Sequence, residues 1–404
     1  MSADDYLIEV HSSLAQVDGV LWNELLQLQD VPTPFMRHEY LCSLQDSESA
    51  VARTGWALQV ITLRQGPRLC AACALYVKSH SYGEYVFDWS WAEAYQRHGL
   101  DYYPKAVIAV PFTPVPGSRL LARNDRDRQA LLEAALAHCR QLGLSSLHLL
   151  FGSPDDLRAA ESAGMMQRQT VQFHWQRQSA DGQTPARDFD DFLGRLNQEK
   201  RKKIRQERRK VADSGVRFQV LQGPDITESD WDFFYRCYER TYLEHGHQPY
   251  LRRAFFQLQA QLQPASWLMF VALRQDRPIA SSLIGLQVAQ QPSGGAPRRT
   301  AYGRYWGALE RVDCLHFEAC YYQPLAWCIS NGYDSFEGGA QGEHKMARAL
   351  LPVATHSAHW LAHPAFADAV QQFLEREDQG LDRYLEDLQG RNPYRRGGPP
   401  GEGR

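Results

Sequence analysis

The sequence predicts an α/β fold with mixed sheets, and two observations support this prediction. Short apolar or β-branched runs bounded by Gly and Pro alternate with longer segments whose apolar residues recur at helical spacing. The order of these strand and helix signals in the first half of the chain returns in the second half. Because 404 residues are too many for one average core, we expect two related α/β units, each with its own interior.

The first half contains signals for strands, a helix, a strand, a helix and a final strand, in that order. Its predicted strands are residues 56–63, 69–77, 105–112, 146–151 and 169–177. Apolar residues recur at helical spacing within 127–142, which predicts a helix there. Pro154 suits the first turn of a helix and Gly164 the position after its end, so a short helix is predicted between them.

A polar stretch with Gly and Pro at 178–187 indicates a linker between the halves. The elements predicted beyond it are one long helix at 189–211, a strand at 216–221, helices at 230–245 and 251–262, a hairpin at 267–274 and 278–288, a strand at 301–309 and a helix at 315–331. The predicted domains are therefore residues 1–185, a basic connecting helix at 186–215, a second domain at 216–380, and a polar, flexible tail at 381–404.

Charge and composition limit the class of protein. The formal net charge is -3 and the pI is about 6.5, which excludes a protein that coats nucleic acid with its whole surface. The N-terminal residues show no secretory signal, and no run approaches the roughly 18 apolar residues that span a bilayer. We therefore expect a cytoplasmic protein without a membrane span. The eight cysteines have no framework spacing and are expected to be reduced thiols.

Two groups of potential metal ligands are predicted to be structural. Cys70 and Cys73 form a CxxC within a predicted strand, where residues three apart point to opposite faces. His356 and His359 also lie three apart in a predicted terminal strand, with His363 beyond it. We therefore predict no metal site.

The stretch NQEKRKKIRQERRKV at 197–211 is the strongest local concentration of basic residues. It forms the second half of the predicted long helix, with acids near the start and cations toward the end, where each favours the helix dipole. Leu193, Leu196, Ile204 and Val211 give this helix a thin apolar stripe, so it can lie on the protein. The helix is then a solvated connector, or a cationic edge that attracts a phosphate-bearing ligand. A nucleic-acid-binding protein built on this helix is a third interpretation.

Two long blocks of sequence carry a resemblance to a known family. They are HSYGEYVFDWSWAEAYQRHGLDYYPKAVIAVPFTPVPGSRLL at 80–121 and RYWGALERVDCLHFEACYYQPLAWCISNGYDSFEGGAQGEHKMARALLPV at 304–353. Together with the basic helix between them, these blocks resemble the FemAB-like predicted N-acyltransferases. That family is a branch of the GNAT acyltransferase superfamily and is often labelled peptidoglycan biosynthesis or recognition. The resemblance covers most of residues 35–365 and implies two tandem GNAT-like domains packed side by side.

The resemblance implies an N-acyltransferase that uses acyl-CoA or aminoacyl-tRNA as a cosubstrate, with no tightly bound cofactor. The acceptor would be an amine of a small molecule or of a cell-wall precursor. Fem-type relatives bind aminoacyl-tRNA partly through an inserted helical arm, and this chain shows no long heptad insertion of that kind. tRNA therefore stays an open partner, and DNA is not expected. A non-catalytic protein that binds a cell-wall or carbohydrate fragment is the alternative.

By the same resemblance, the pyrophosphate of the donor would lie where a central strand turns into a helix, since a helix N-terminus offers unpaired N–H groups. The candidate loop of the first domain follows the predicted strand at 105–112. Its expected cofactor-binding residues are Val115, Gly117, Ser118 and Arg119. An ordinary Pro/Gly turn is the alternative for this loop. The corresponding strand of the second domain runs into its helix through ERVDC, without a glycine-rich loop, which argues against ordinary CoA binding there.

Acyl transfer to an amine needs a proton acceptor, donors for the developing oxyanion and a proton for the leaving group. The segment YDSFEGGAQGEHKMAR supplies acids, bases and cations directly after a strand, with glycines where the backbone can approach a ligand closely. The expected catalytic residues are Glu337, His344 and Tyr305. The expected substrate-binding residues are Arg304, His316, Glu318, Tyr322, Gln341, Lys345, Arg348, Glu84 and Asp88.

Overall fold

Thirteen strands form one mixed sheet in the part of the chain that the computed structural model describes, which is residues 6–178, 185–290, 294–340 and 342–394. In chain order the strands are β1 (Leu7–His11), β2 (Trp56–Gln65), β3 (Arg68–Lys78), β4 (Lys105–Ile108), β5 (Leu121–Ala122), β6 (Ser146–Leu149), β7 (Met166–Gln176), β8 (Val216–Gln222), β9 (Trp267–Arg274), β10 (Arg277–Ala289), β11 (Arg298–Ala308), β12 (Ser335–Glu337) and β13 (Leu351–Leu361). The expected α/β fold with a mixed sheet is confirmed.

Helices pack on both faces of this sheet. In chain order the described α-helices are α1 (Gly19–Gln27), α2 (His38–Asp46), α3 (Trp89–Arg97), α4 (Asp125–Gln141), α5 (Pro154–Ser162), α6 (Phe189–Arg195), α7 (Gln198–Asp213), α8 (Glu228–Glu244), α9 (Arg253–Leu262), α10 (Leu315–Phe317), α11 (Gln323–Ser330) and α12 (Pro364–Gly390). Helices α1 and α2 share one hydrophobic core with α8 and α9, although the two pairs come from different halves of the chain. Helices α4 and α5 pack on the opposite face of β2 and β3 in a separate core.

The sheet connects the two halves of the chain through its strand order. That order is β1, β2, β3, β4, β6, β13, β7, β12, β11, β10, β9 and β8, with β5 paired to β3 off the main path. The last strand, β13, therefore lies between β6 and β7 of the first half. Most neighbours are antiparallel, and each half contributes one parallel pair, β4 with β6 and β11 with β12. In both halves, two strands that are separated in sequence by a helix lie parallel to each other, as the predicted repetition of strand, helix and strand implies.

The predicted hairpin and the predicted helix after β11 are both present. Strands β9 and β10 are joined at Gln275 and Asp276, whose φ angles of 51° and 61° match a two-residue type I′ turn. Helices α10 and α11 are linked by a π-helical turn, Glu318–Tyr322. Pro324 follows this turn and has no N–H to donate, which explains why the regular hydrogen-bond pattern is interrupted there.

The prediction of one helix over 189–211 is wrong, because the chain breaks between α6 and α7. Leu196 has an extended backbone, is fully buried and forms a β-bridge with Tyr394. Asn197 then starts α7 as its N-cap, where the side chain accepts a hydrogen bond from the Lys200 N–H at 3.0 Å. The basic segment is therefore a separate helix of 16 residues.

The predicted boundary at residue 380 falls inside α12, so residues 381–390 are helical rather than a flexible tail. Leu388 is fully buried in the core that also contains Phe192 and Leu193 of α6. This burial holds the C-terminal end of α12 on the protein, because an apolar side chain removed from water stabilises the packed state.

Candidate functional site

The candidate site lies where two parallel strands separate. Strands β11 and β12 pair only through residues 300–302 and 335–337. Strand β12 then ends, while β11 continues through a bulge in which Arg304 is the extra residue. Bulges of this kind redirect side chains and are frequent beside active sites. A cavity of about 340 Å³ occupies the gap, and we call it the reaction cavity.

The reaction cavity brings together five residues that were predicted from the sequence. They are Arg304, Tyr305, His316, His344 and Lys345. Its other walls include Gly338, Gly339 and Ala340 after β12 and Tyr85, Phe112 and Pro114 from the first half of the chain. The cavity is therefore built by both halves and concentrates titratable groups from the second.

Arg304 supplies positive charge to this cavity. Its Nη2 donates to the Phe112 carbonyl oxygen at 2.9 Å and to Thr113 Oγ1 at 3.2 Å, and it lies 3.4 Å from the Tyr305 hydroxyl. Within the described part of the chain, no carboxylate lies within the 4.0 Å of a salt bridge to Arg304. Because this cation is not neutralised by an acid, it can bind an anionic group of a ligand.

The two histidines of the cavity are neutral near pH 7. Burial lowers the pKa of His316 to about 4 and also lowers the pKa of His344. His344 Nε2 lies 3.2 Å from the Tyr321 hydroxyl, and its carbonyl oxygen accepts a hydrogen bond from Arg348 at 2.6 Å. A neutral imidazole has one ring nitrogen that can accept a proton, so both residues can serve as a base.

Lys345 fixes the turn that follows β12. Its Nζ donates to the carbonyl oxygens of Gly339 at 2.9 Å and Ala340 at 3.0 Å. Burial lowers the pKa of Lys345 to about 8. The N–H groups of Gly339 and Ala340 have no hydrogen-bond partner among the described residues, so they stay available to a ligand oxygen.

Glu337 is not part of the lining of the reaction cavity. It is the last residue of β12, in register with His174 of β7 and Tyr302 of β11. Its Oε2 is buried without a hydrogen-bond partner among the described residues and lies 4.0 Å from His174 Nε2. Burial raises the pKa of Glu337 to about 8, so the side chain is largely protonated at pH 7. The predicted carboxylate is therefore a neutral acid behind the wall of the cavity.

Glu318, Tyr322 and Arg348 were predicted to bind substrate, but they attach α7 to the protein. The Tyr322 hydroxyl donates to Glu207 of α7, and Arg348 Nη2 lies 3.1 Å from both carboxylate oxygens of the same residue. Arg208 Nε, also on α7, donates to Glu318 at 3.1 Å. The remaining predicted binding residue, Gln341, lies outside the described residues.

All four residues of the predicted apolar stripe are buried, although only Ile204 and Val211 lie on α7. Leu193, Leu196, Ile204 and Val211 are buried, each with at most 2% of its surface exposed. On the outer side of α7, several cations are exposed and form no ion pair with a described residue: Lys202, Lys203, Arg205, Arg209 and Lys210. The helix is thus packed on its inner face and strongly positive on its outer face.

Glu84 and Asp88 do not reach the reaction cavity. Both are buried around Lys105, whose Nζ donates to Glu84 Oε2 at 2.8 Å, to Ser81 Oγ at 2.8 Å and to Asp88. Their acidic side chains therefore fix the loop between β3 and α3. The loop carries Tyr85 into the cavity wall with a φ of 61°, a conformation that is costly for a non-glycine residue. Tyr85 was not among the predicted site residues, because one aromatic residue among many others in the sequence gives no distinct signal.

The predicted phosphate loop of the first half has no free backbone donors at its central residues. The N–H groups of Gly117, Ser118 and Arg119 donate to Phe151 O at 3.0 Å, Val31 O at 2.9 Å and Asp156 Oδ2 at 2.7 Å, respectively. Val115 is buried, and the Arg119 guanidinium is buried and bound to the Leu150 carbonyl oxygen. The loop also leads into β5 rather than into a helix. The alternative prediction, an ordinary turn, describes this loop.

Cys70, Cys73 and His359, which were weighed as metal ligands, lie in the interior of the sheet. All eight cysteines are free, and Cys70 and Cys73 are buried in β3. His359 is buried, with its Nδ1 2.7 Å from His148 Nδ1. Among the described residues, no group of three or more His, Cys, Asp or Glu side chains is arranged to hold a metal ion. No helix in the described ranges has the length and apolar character needed to cross a bilayer.

Comparisons with known proteins identify the family and the fold. Residues 13–396 match the model of the FemAB-like family, described as peptidoglycan biosynthesis/recognition. No curated protein matches the sequence. Among solved structures, the C-terminal domain (DUF2156) of a putative lysylphosphatidylglycerol synthetase from Agrobacterium fabrum is 11% identical, covers 89% of this chain and 96% of its own, and has a TM-score of 0.51.

Two further structures have similar coverage. L-PGS from Bacillus licheniformis is 10% identical over 88% of this chain and 97% of its own, with a TM-score of 0.51. FemX is 10% identical over 90% of this chain and 100% of its own, with a TM-score of 0.49. At such low identity the likeness shows the fold alone: this chain shares the fold of the first two structures over nearly its whole length.

Proposed function

Because the chain belongs to the FemAB-like family of peptidoglycan biosynthesis/recognition proteins, we propose that it transfers an acyl or aminoacyl group from an activated carrier to an amine acceptor, such as a cell-wall precursor. The observation that carries this proposal is the reaction cavity between β11 and β12, with a neutral histidine, a tyrosine and open backbone donors on its walls. These are the three kinds of group that acyl transfer to an amine requires.

In the proposed reaction, the nitrogen of the acceptor amine attacks the carbonyl carbon of the acyl group and forms an amide bond. His344 takes the proton that the amine loses, since its neutral ring lines the cavity. The bond from the acyl carbon to the carrier breaks, which is a C–O bond for aminoacyl-tRNA or a C–S bond for acyl-CoA. The Tyr305 hydroxyl gives its proton to the leaving oxygen or sulfur and regains one from His344 at the end of the cycle.

The N–H groups of Gly339 and Ala340 are the proposed donors for the negative charge that develops on the carbonyl oxygen. Lys345 holds the carbonyl oxygen of Gly339, which belongs to the same peptide unit as the Ala340 N–H, so the orientation of this donor is fixed before the substrate arrives. Preorganised donors of this kind typically contribute about 10²- to 10³-fold each to kcat.

A phosphate-bearing carrier fits the charge around the cavity. Arg304 offers a cation inside the cavity, and α7 exposes a row of cations from Lys202 to Arg209. Seven residue steps along a helix span about 10 Å, since each residue rises about 1.5 Å. A row of this length suits several successive phosphates better than a single pyrophosphate, which favours aminoacyl-tRNA over acyl-CoA as the donor.

The direct test is a transfer assay with purified protein, a cell-wall precursor that carries a free amine, and either labelled acyl-CoA or charged tRNA. We expect labelled amide product with one donor, and we expect His344→Gln to lower its rate by about 10²- to 10⁴-fold because it removes the base. His363→Gln is the matched control, since His363 is exposed and remote from the cavity in the fold. If neither donor yields product, the transferase proposal is overturned, and binding of the precursor without transfer would support a non-catalytic binding protein.

The choice of carrier is tested by binding at several salt concentrations. Replacing Lys202, Lys203, Arg205 and Arg209 by alanine is expected to weaken tRNA binding and to make the dependence of log K on log salt shallower by roughly one unit for each lost phosphate contact. Replacing the exposed Arg376 and Arg383 of α12 is the control and should leave both quantities unchanged. If the α7 variant bound tRNA as tightly as the unmodified protein, α7 would have no role in carrier binding.

A further inference from the structure

Behind the wall of the reaction cavity, the Tyr305 hydroxyl faces the hydroxyl of a second tyrosine, Tyr40. Tyr40 lies on α2 in the first half of the chain, and only 1% of its surface is exposed. It does not line the reaction cavity. Its hydroxyl nevertheless interacts with the hydroxyls of Thr113 and Tyr305 and with the charge of Arg304. A side chain of the first half therefore reaches the acid that is proposed in the second half.

The hydrogen bonds of Thr113 determine where the Tyr40 proton points in the free protein. The Thr113 hydroxyl donates to the Pro111 carbonyl oxygen at 3.0 Å. Because a hydroxyl has a single hydrogen, Thr113 Oγ1 can only accept at its other contacts. These contacts are Arg304 Nη2 at 3.2 Å and the Tyr40 hydroxyl at 3.2 Å. Tyr40 is therefore the donor to Thr113.

Aromatic packing fixes the rings of both tyrosines. The Tyr40 ring contacts Phe35 and Phe255 edge to face, each at a centroid distance of 5.3 Å. The Tyr305 ring packs edge to face on Phe256 at 5.6 Å. Edge-to-face contacts of this kind stabilise one ring orientation. The two rings are therefore held in place, while the O–H of Tyr40 can still rotate about its C–O bond.

The Tyr40 hydroxyl is a permanent hydrogen-bond donor with two acceptors in reach. Burial raises the pKa of Tyr40 well above the ordinary value of a tyrosine, so the side chain keeps its proton. One acceptor is Thr113 Oγ1, and the other is the Tyr305 oxygen. Thr113 Oγ1 keeps a hydrogen bond without Tyr40, since Arg304 also donates to it. The donor can therefore change its partner without leaving a buried oxygen unpaired.

The stronger of the two acceptors changes during the proposed reaction. When Tyr305 gives its proton to the leaving group, its oxygen becomes negatively charged, while Thr113 stays neutral. A hydrogen bond to a charged oxygen is roughly twice as strong as one to a neutral oxygen. Catalytic hydrogen bonds are often long in the free protein and shorten in the transition state. The chemistry therefore favours donation from Tyr40 to Tyr305 at the moment when the leaving group departs.

We propose that Tyr40 is a positioning residue for Tyr305, whose O–H turns from Thr113 to the Tyr305 oxygen as that oxygen becomes negative. Arg304 Nη2, which lies 3.4 Å from the Tyr305 hydroxyl, is the second donor to the same charge. Two donors lower the cost of taking the proton from Tyr305 and so make it a stronger acid. The inference rests on the proposed function, in which Tyr305 is the acid, and it gives the first half of the chain a role in the chemistry.

Transfer kinetics of Tyr40→Phe test this role with whichever donor gives product. We expect kcat to fall by about 10- to 100-fold, the contribution of a hydrogen bond to a charged group. KM for donor and acceptor should change less than about twofold, because Tyr40 does not line the cavity. Tyr95→Phe is the matched control, since the buried Tyr95 hydroxyl has no partner among the described residues. An unchanged kcat in Tyr40→Phe would overturn the inference.

A double-mutant cycle separates this role from a contribution to folding. In a Tyr305→Phe protein no negative charge forms at position 305. Adding Tyr40→Phe to it should therefore change the remaining kcat by less than about twofold, although the same substitution has a large effect when Tyr305 is present. Equal losses in the two backgrounds would mean that Tyr40 acts only through the packing of α2, which would overturn the inference.

A spectroscopic readout needs no acyl donor. Tyr305→3-nitrotyrosine introduces a phenol that ionises in the neutral pH range and changes colour when it does. Because the Tyr40 O–H should stabilise the negative oxygen at this position, Tyr40→Phe is expected to lower the ionisation constant of the label by about tenfold or more, and Tyr95→Phe should leave it unchanged. Equal ionisation with and without the Tyr40 hydroxyl would overturn the inference. If the label responds but no donor supports transfer, the proposed function fails and the assignment of Tyr40 to the Tyr305 oxygen stands.

Discussion

Arg348 Nη2 lies 3.1 Å from both carboxylate oxygens of Glu207, so a buried ion pair joins the basic helix α7 to the turn that carries His344. The Tyr322 hydroxyl donates to the same carboxylate, and Arg348 Nη1 donates to the His344 carbonyl oxygen at 2.6 Å. The Glu207–Arg348 ion pair therefore holds both α7, which offers cations to a carrier, and His344, which is proposed as the base.

Glu207→Ala is expected to lower the free energy of unfolding by about 3 to 5 kcal/mol, because it leaves the buried charge of the Arg348 guanidinium without its carboxylate. Urea unfolding measures this change. Glu199→Ala is the matched control on the same helix. Glu199 pairs with Lys200, but its carboxylate is 80% exposed. We therefore expect the free energy of unfolding to change by no more than about 0.5 kcal/mol. Equal effects of both substitutions would show that the Glu207 pair does not support α7.

Lys105→Met is expected to destabilise the protein by about 3 to 5 kcal/mol, since Glu84 and Asp88 would remain buried without their shared cation. Adding Glu84→Gln and Asp88→Asn should restore part of this loss, because neutral amides cost less to bury than carboxylates. Lys200→Met serves as the control at a partly exposed ion pair. Thermal unfolding of the unmodified protein, Lys105→Met, the triple variant and Lys200→Met measures these changes. A triple variant less stable than Lys105→Met would show that Lys105 does not stabilise the two buried carboxylates.

The sequence was sufficient for features that depend on local periodicity. The β9–β10 hairpin follows from apolar runs around a short turn, and the buried stripe of α7 follows from the spacing of Ile204 and Val211. The break before α7 was not predictable, because Leu196 is held by a bridge to Tyr394, nearly 200 residues away. Periodicity contains no information about such a partner.

The same limit explains the errors at the site. His344 and Lys345 were found because polar residues cluster after a strand end, which is a local pattern. Glu84 is an acidic residue among aromatic ones, as is common in binding sites. Only its pairing with Lys105 of β4 shows that it fixes a loop. Arg119 likewise looks like a phosphate ligand until its burial against the Leu150 carbonyl oxygen is seen. Side-chain partners across long sequence separations decide whether a charged residue faces a ligand or the interior.

Glu337 is expected to make the stability of the protein fall as the pH rises from about 5 to 8. Burial raises the pKa of Glu337 from 4.5 to about 8, so in this window the folded state binds a proton that the unfolded state has released. The contribution of Glu337 to the free energy of unfolding is greatest below the pKa of the unfolded state. It decreases by about 1 kcal/mol per pH unit between the two pKa values and is constant above the pKa of the folded state. Urea unfolding of Glu337→Gln, which cannot release this proton, should show a flatter profile over the same range. Parallel profiles for the two proteins would show that Glu337 is ionised in the folded state.

Arg304→Met is expected to weaken binding of the anionic carrier by about 10- to 100-fold, because hydrogen bonds to a charged group contribute about 1.5 to 3 kcal/mol. Arg304→Lys keeps the charge but loses the planar guanidinium that contacts Phe112 and Thr113, so we expect an intermediate affinity. Equilibrium binding of charged tRNA and of CoA measures these effects, and Arg277→Met at an exposed position of β10 is the control. Thermal unfolding of each variant separates lost carrier binding from lost stability. Unchanged affinity in a folded Arg304→Met protein would place the carrier's phosphates outside the reaction cavity, on α7 alone.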